Sequence, residues 1–155
     1  MEERTKRAAM LLGEQAMETL KASHVAIFGL GGVGSWCAEA LARSGVGRLT
    51  LVDEDCAGES NINRQLCALY STLGKPKAEI LAQRLLDINP DLELSAIVGR
   101  YEAADRDRFF ADYDYVVDAI DTVSSKILLI ETAHQMNVPI ISALGAGNKE
   151  DPTLF

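Results

Sequence analysis

The sequence predicts an α/β domain with a doubly wound, mostly parallel sheet. Three observations predict it. Short apolar runs alternate with segments of helical period along the chain, the signature of repeated strand–helix units. The first run, residues 24–28, is near-continuously apolar, as suits a central parallel strand covered on both faces. Directly after it, Gly29-Leu30-Gly31-Gly32-Val33-Gly34 forms a glycine-rich turn that feeds a helix.

Each element follows from local pattern. Leu12, Ala16 and Leu20 recur at four-residue intervals among charged residues and predict a helix over residues 5–21. Strand 24–28 comes next. The helix from Val33 to Ala42 carries Val33, Trp36, Cys37, Ala40 and Leu41 on one side, and the Gly45–Gly47 stretch ends it. Residues 48–52 make the second strand. From Asp53 to Gly74 there is no strong period, and such a long irregular stretch in a compact domain is usually functional or mobile. Lys75 to Asn89 reads as a helix with Ala78, Leu81, Leu85 and Ile88 on one face and Pro90 beyond its end. Leu92 to Val98 alternates as a third strand, a short helix follows over Ala103 to Ala111, and Tyr115 to Val117 opens a fourth strand that ends at Asp118-Ala119-Ile120-Asp121. A helix over residues 122–136 and a strand over 138–143 complete the series, with right-handed crossovers expected. Asp151-Pro152-Thr153-Leu154-Phe155 reads as the start of another strand, so the domain is expected to continue beyond it.

At 155 residues the whole chain, 1–155, is one domain with room for a sizeable core. A net charge of −8 argues against a general nucleic-acid surface but leaves room for a local basic groove. Cys37, Cys56 and Cys67 are widely spaced and form no C-x-x-C pair, so neither a zinc knuckle nor a thioredoxin-like motif is supported. Cys37 falls on the helix's apolar face and is expected in the core, whereas Cys56 and Cys67 fall in the irregular stretch, where exposure is expected. An odd cysteine count without a signal-peptide pattern predicts a reducing, cytoplasmic setting. No apolar run approaches the roughly 20 residues that span a bilayer, so no membrane partner is expected.

The glycine turn brings backbone N–H groups and a helix N-terminus up against a phosphate, with Gly29, Gly31, Gly32 and Gly34 as its contributors. Alone this Rossmann-like pattern fits nicotinamide, flavin and ATP sites equally. Asp53, at the end of the second strand, is placed to accept ribose hydroxyls or to cap the turn. Asp55 divides between a loop cap and a functional role. Asn61, Asn63, Arg64 and Gln65 then gather three amides and a guanidinium within five residues. Lys75 and Lys77 stand where the macrodipole disfavours cations by about 0.3–1 kcal/mol each, so an anion sharing the site would explain them. Arg64 and Lys75 are assigned to phosphate, and Lys77 to solvated surface. Asp118 and Asp121 stand at the strand edge where ligands of open α/β sheets sit. Asp121, at the loop tip, is the better candidate for Mg²⁺ beside a triphosphate, a duty compatible with capping the helix that follows.

Gly29–Gly34, Asp53, the Ser60–Gln65 run, Gly74-Lys75-Pro76-Lys77-Ala78 and Asp121 together resemble the adenylating domain of the ubiquitin-activating-enzyme-like superfamily, over residues 4–155. The resemblance implies ATP and Mg²⁺ as cofactors, ribose on Asp53, phosphates on Arg64 and Lys75, and metal and adenylation duty for Asp121. It also implies a homodimer in which Arg7, from Arg4-Thr5-Lys6-Arg7, reaches the partner's ATP; the plainer reading of Arg7 is an exposed helix charge. Gly31–Trp36, Ala38–Arg43, Val117–Asp121, Gly145-Ala146-Gly147 and Asp151-Pro152-Thr153 look like the subgroup that dehydrates threonylcarbamoyladenosine in tRNA. The partner would then be tRNA, met by a basic strip drawn from Arg4, Lys6, Arg7, Arg43 and Arg48, with salt-dependent binding. A small sulfur-carrier protein is the alternative partner, activated at its C-terminal glycine. From a different class, a nicotinamide-dependent oxidoreductase or a nucleotide-sensing module shares the glycine turn but has no need of Asn61–Gln65 and Lys75.

Overall fold

A computed structural model describes residues 3–106 and 112–145. Its elements are α1 (Lys6–Leu12), α2 (Glu14–Ala22), β1 (His24–Phe28), α3 (Gly34–Ser44), β2 (Arg48–Asp53), α4 (Lys77–Ile88), β3 (Glu93–Val98), β4 (Tyr115–Asp118), α5 (Val123–Gln135) and β5 (Ile140–Ser142). Short 3-10 turns lie at Glu3–Thr5, Glu59–Asn61 and Ala103–Asp105. Residues 107–111 of the predicted helix Ala103–Ala111 lie outside the described residues. So do 146–155, which hold most of the Gly145-Ala146-Gly147 motif, Asp151-Pro152-Thr153 and the predicted further strand.

The five strands run in the order β3-β2-β1-β4-β5, and every pairing is parallel. Side-chain alternation along β1 divides the core in two. Val25 and Ile27 join Leu49, Leu51, Val117 and the buried residues of α3 and α4, whereas Ala26 and Phe28 join Val52, Val116 and the Leu129 and Ala133 side chains of α5. The sheet is therefore covered on both faces, as the apolar run of β1 predicts.

Two helices differ from expectation. The predicted helix over 5–21 is broken at Gly13, whose φ of +87° lies outside the helical region, into α1 and α2. In α3 the buried residues are Gly34, Ser35, Ala38, Glu39 and Ala42, not the predicted Val33, Trp36, Cys37, Ala40 and Leu41. The reason is the turn before it. Gly34 packs so closely on the Gly29 carbonyl that a Cβ would collide with that oxygen. This contact fixes the rotation of α3, and the small residues at 38 and 42, four and eight positions on, face the sheet with it. Cys37 and Leu41 are half-buried at the margin of this packing, and Val33 and Trp36 are exposed.

The irregular stretch closes through a short ladder. Ala57 N–H donates to the Lys75 carbonyl at 2.9 Å, Gly74 N–H to Ala57 at 2.8 Å and Lys77 N–H to Asp55 at 2.9 Å. Pro76 stands at the N-cap of α4, so the helix begins at Lys77 and Lys75 lies before it. Cys56 is exposed as expected, but Cys67 is buried, its Sγ 3.9 Å from the Leu30 carbonyl. Burial pushes the Cys67 thiol pKa up.

Candidate active site

The C-terminal ends of β1, β2, β3, β4 and β5 open onto a cavity of about 600 Å³. That lies within the range of roughly 300–1,000 Å³ typical of small-ligand sites. The glycine turn forms one wall. Gly29 has φ +87°, and a Cβ there would lie 2.5 Å from the Ala119 carbonyl oxygen, so β1 and the β4 turn approach too closely for any side chain. Beyond it Gly31, Gly32 and Val33, the residues that lead into α3, line the cavity, whereas Gly34 does not. Of the N–H groups in the first turn of α3, Ser35 already donates to the Gly31 carbonyl at 3.2 Å and Cys37 to Val33 at 3.0 Å.

Asp53 ends β2 beside this turn. Its Oδ2 accepts from Leu30 N–H at 2.6 Å and its Oδ1 from Asp55 N–H at 2.8 Å. The carboxylate thus shapes the glycine turn, and each oxygen keeps a lone pair for a ribose hydroxyl. Burial pushes its pKa up, against the two amide hydrogen bonds that lower it.

The loop before α4 supplies the opposite wall. Asn61, Arg64 and Gln65 line the cavity. The Asn61 Oδ1 accepts from Gly58 N–H at 3.0 Å and holds the loop's bend. The Arg64 stem lies along Gly32, with Cγ and Cδ 3.6 and 3.7 Å from where a Cβ there would stand. Its Nη1 donates to the Ser60 carbonyl at 3.1 Å and to Asn63 Oδ1 at 3.0 Å. That leaves Nε and Nη2 as donors for an anion. Asn63 itself is exposed and is not among the lining residues; it steadies Arg64.

The two lysines exchange roles relative to the sequence assignment. Lys75 is exposed and does not line the cavity. Lys77 does, and its side chain is only 5% exposed, with Nζ 2.8 Å from Asp55 Oδ2. One of its three N–H donors is spent on Asp55, which leaves two for a phosphate. Its burial was legible: Lys77 precedes Leu81 and Leu85 by four and eight residues, on the buried row of α4. Asp55, left open by the sequence, is the lining residue that holds this cation.

At the β4 edge the two aspartates separate. Asp118 is fully buried, 2.7 Å from Lys126 Nζ, which also donates to the Ala143 carbonyl at 2.9 Å. Asp118 Oδ1 accepts from Ile120 N–H at 3.0 Å. Asp118 is therefore a structural brace that sets the turn carrying Asp121. Asp121 is exposed at the loop tip and lines the cavity, with only a long 3.4 Å contact from the Thr122 hydroxyl. Arg100 and Glu54, paired at 2.8 Å, stand just past the ends of β3 and β2 and were not foreseen, because neither belongs to a motif of its own.

Among the described residues no group of three or more His, Cys, Asp or Glu side chains could hold a metal ion by itself. The donor set fits Mg²⁺ of another kind: one carboxylate, Asp121, facing a cavity with a phosphate cradle, since Mg²⁺ is usually held by one or two carboxylates plus phosphate oxygens. Arg7 lies exposed on α1 and does not line this cavity. The expected basic strip does not gather here. Arg4 pairs with Asp91 at 2.7 Å, Lys6 with Glu3 at 3.4 Å and Arg43 with Glu39 at 2.8 Å. Arg48 opens β2 at the far end of the sheet, roughly 17–20 Å away by strand rise.

Residues 5–155 match the family model described as ThiF family. The chain is 50% identical over 151 residues to the tRNA threonylcarbamoyladenosine dehydratase of Bacillus subtilis, covering 96% of this chain and 59% of the relative. It is 34% identical over 138 residues to the molybdopterin-synthase adenylyltransferase of Escherichia coli, covering 89% of this chain and 55% of that protein. Its structure is similar to that of the E. coli tRNA N6-threonylcarbamoyladenosine dehydratase in complex with ATP, with a TM-score of 0.94 and 39% identity over 97% of this chain and 63% of the other. The chain thus spans about three fifths of the length of the relatives it matches.

Proposed function

The chain belongs to the ThiF family, and on that premise we propose that it binds ATP in the cavity under the glycine turn and uses it to adenylate a carboxylate. The observation that carries this is the convergence of the glycine cradle, Asp53, Arg64 and buried Lys77 on one cavity. The overall reaction proposed is cyclising dehydration of threonylcarbamoyladenosine in tRNA, supported by the 50% identity to a dehydratase of that name.

In this reading the backbone of Gly31, Gly32 and Val33, at the entry to α3, receives phosphate oxygens. Arg64 and Lys77 flank them, and Asp53 accepts the ribose hydroxyls. Mg²⁺ on Asp121 and phosphate oxygens would offset the charge of the triphosphate. A substrate carboxylate oxygen attacks the α-phosphorus, the bond to pyrophosphate breaks, and an acyl adenylate forms. No covalent enzyme intermediate is needed, so the side chains contribute positioning and charge neutralisation. Ring closure then expels AMP, which carries away the oxygen lost as water in the net reaction. Arg7 serves the neighbouring copy's ATP in a homodimer, and exposed Met10, Leu11 and Leu12 beside it on α1 offer apolar surface for that contact; sedimentation at twice the chain mass is the expected result. Cytoplasmic placement is part of the same proposal. Among the described residues no helix is long and apolar enough to cross a membrane.

Pyrophosphate exchange into ATP tests the reading. It should depend on tRNA bearing threonylcarbamoyladenosine and should vanish in Asp121→Ala without loss of fold. The similarity to the molybdopterin-synthase adenylyltransferase favours a second reading, activation of a sulfur-carrier C-terminus. Exchange that depends on a small Gly-Gly-ending protein and not on tRNA would select it. Exchange surviving in Asp121→Ala would remove that residue from the chemistry.

A further inference from the structure

Trp36 is the single tryptophan of the chain. It stands in the first turn of α3 with 54% of its surface exposed, so core packing does not account for it. Its indole Nε1–H donates to the backbone carbonyl of Arg64 at 3.1 Å. One residue earlier, Ser35 Oγ donates to the Gly31 carbonyl at 2.6 Å and accepts from Leu66 N–H at 3.3 Å. Two adjacent side chains of α3 thus tie residues 64 and 66, on either side of Gln65, to the helix that carries the glycine turn.

Arg64's own hydrogen bonds are local. Its N–H donates to Asn61 at 3.1 Å, and its Nη1 to Ser60 and Asn63. These hold the side chain relative to its loop, but not the loop relative to the phosphate cradle. The loop is held to the cradle by Ser35 at Leu66, by Cys67 Sγ at the Leu30 carbonyl and by Trp36 at the Arg64 carbonyl. Of the three, the Trp36 bond is the one made to Arg64 itself.

We propose that Trp36 is a positioning residue for Arg64: its indole N–H sets the distance of the Arg64 guanidinium from the glycine turn and thereby the affinity for the phosphates of ATP. This rests on the reading that Arg64 contacts those phosphates. A guanidinium recognises phosphate through directed N–H donors, so a small displacement of its backbone is felt in phosphate affinity. The nucleoside part, held on Asp53 at the end of β2, does not depend on this tie.

Trp36→Phe keeps a ring at a half-exposed position and removes the donor. Calorimetric titrations of Trp36→Phe, Arg64→Ala and the double variant with ATP and with adenosine test the proposal. Trp36→Phe should bind ATP about fivefold more weakly, the order expected for one hydrogen bond, and adenosine unchanged. Arg64→Ala should bind ATP at least tenfold more weakly, and the double variant no more weakly than Arg64→Ala alone. The proposal is overturned if Trp36→Phe binds ATP as the parent does, if it weakens ATP and adenosine alike, or if the two losses add. In each of those cases the adenylation reading stands provided Arg64→Ala selectively weakens ATP. Parental ATP affinity in Arg64→Ala overturns both.

Discussion

Lys77 is the residue whose placement bears most on the site. A buried ammonium costs several kcal/mol unless it is paired, and Asp55 supplies the pair. A cation held at this cost beside a cradle of N–H groups is suited to receive an anion. Lys77→Ala is expected to weaken ATP binding by about 10- to 100-fold, the worth of a charge-assisted hydrogen bond, whereas Lys75→Ala leaves the affinity unchanged. Titration calorimetry on the two variants checks this, and equal losses would contradict it. Arg64, Asp53, Gly29, Gly31 and Gly32 line the cavity, and each was legible in the sequence because it belongs to a local pattern: a turn, a strand end, a polar cluster. Gly34, assigned with them, packs on Gly29 instead. The sequence did not single out Lys77 as the lysine that lines the cavity, because the macrodipole argument treats both alike. Pro76 between them decides the matter, ending the loop with Lys75 outside and starting the buried row of α4 with Lys77.

At the level of elements, α3 is the part that organises the site, through both its first turn and its anchorage to α4. Glu39, on the face of α3 turned inward, accepts from Arg84 of α4 at 2.6 Å and from Arg43 of its own helix at 2.8 Å. The Arg84 hydrogen bond, aided by Arg43 and opposed by burial, holds the Glu39 pKa below the usual carboxylate value. A carboxylate with a depressed folded-state pKa contributes stability that is present above its unfolded pKa and lost as pH falls through the folded one. Glu39→Gln is therefore expected to cost about 1–2 kcal/mol at neutral pH, and the deficit should shrink as pH falls from about 4.5, the unfolded carboxylate value. Urea unfolding of both proteins across pH 3–7 measures this; a deficit independent of pH would contradict it. Amphipathic counting chose the wrong face of α3 because it weighs apolarity alone. The rotation is set instead by the close approach of Gly34 to Gly29, a backbone contact that no side-chain period encodes. The strand runs were legible because β1 and β2 are buried on both faces and read as continuous apolar stretches.

For the whole molecule, parallel strands in the order β3-β2-β1-β4-β5 bring five strand ends to one edge. That order joins Gly29, Asp53, Arg100 and Asp121, which span more than 90 residues of chain. The strand–helix alternation predicted the architecture, and the ordered motifs from Gly29 to Asp121 predicted the family that the comparisons then showed. The Arg100–Glu54 pair was not legible, because neither residue has a pattern of its own and only the β2–β3 pairing makes them neighbours. The residues of the expected basic strip lie away from this cavity for a related reason. Charges counted along a sequence carry no information about which sheet edge they reach, and Arg48 opens the strand whose other end carries Asp53. One titration of the chain with ATP–Mg²⁺ and with NAD⁺ tests most directly whether this edge is a triphosphate site. Saturable ATP binding that exceeds NAD⁺ affinity by tenfold or more is the expected result, and preferential NAD⁺ binding would contradict it.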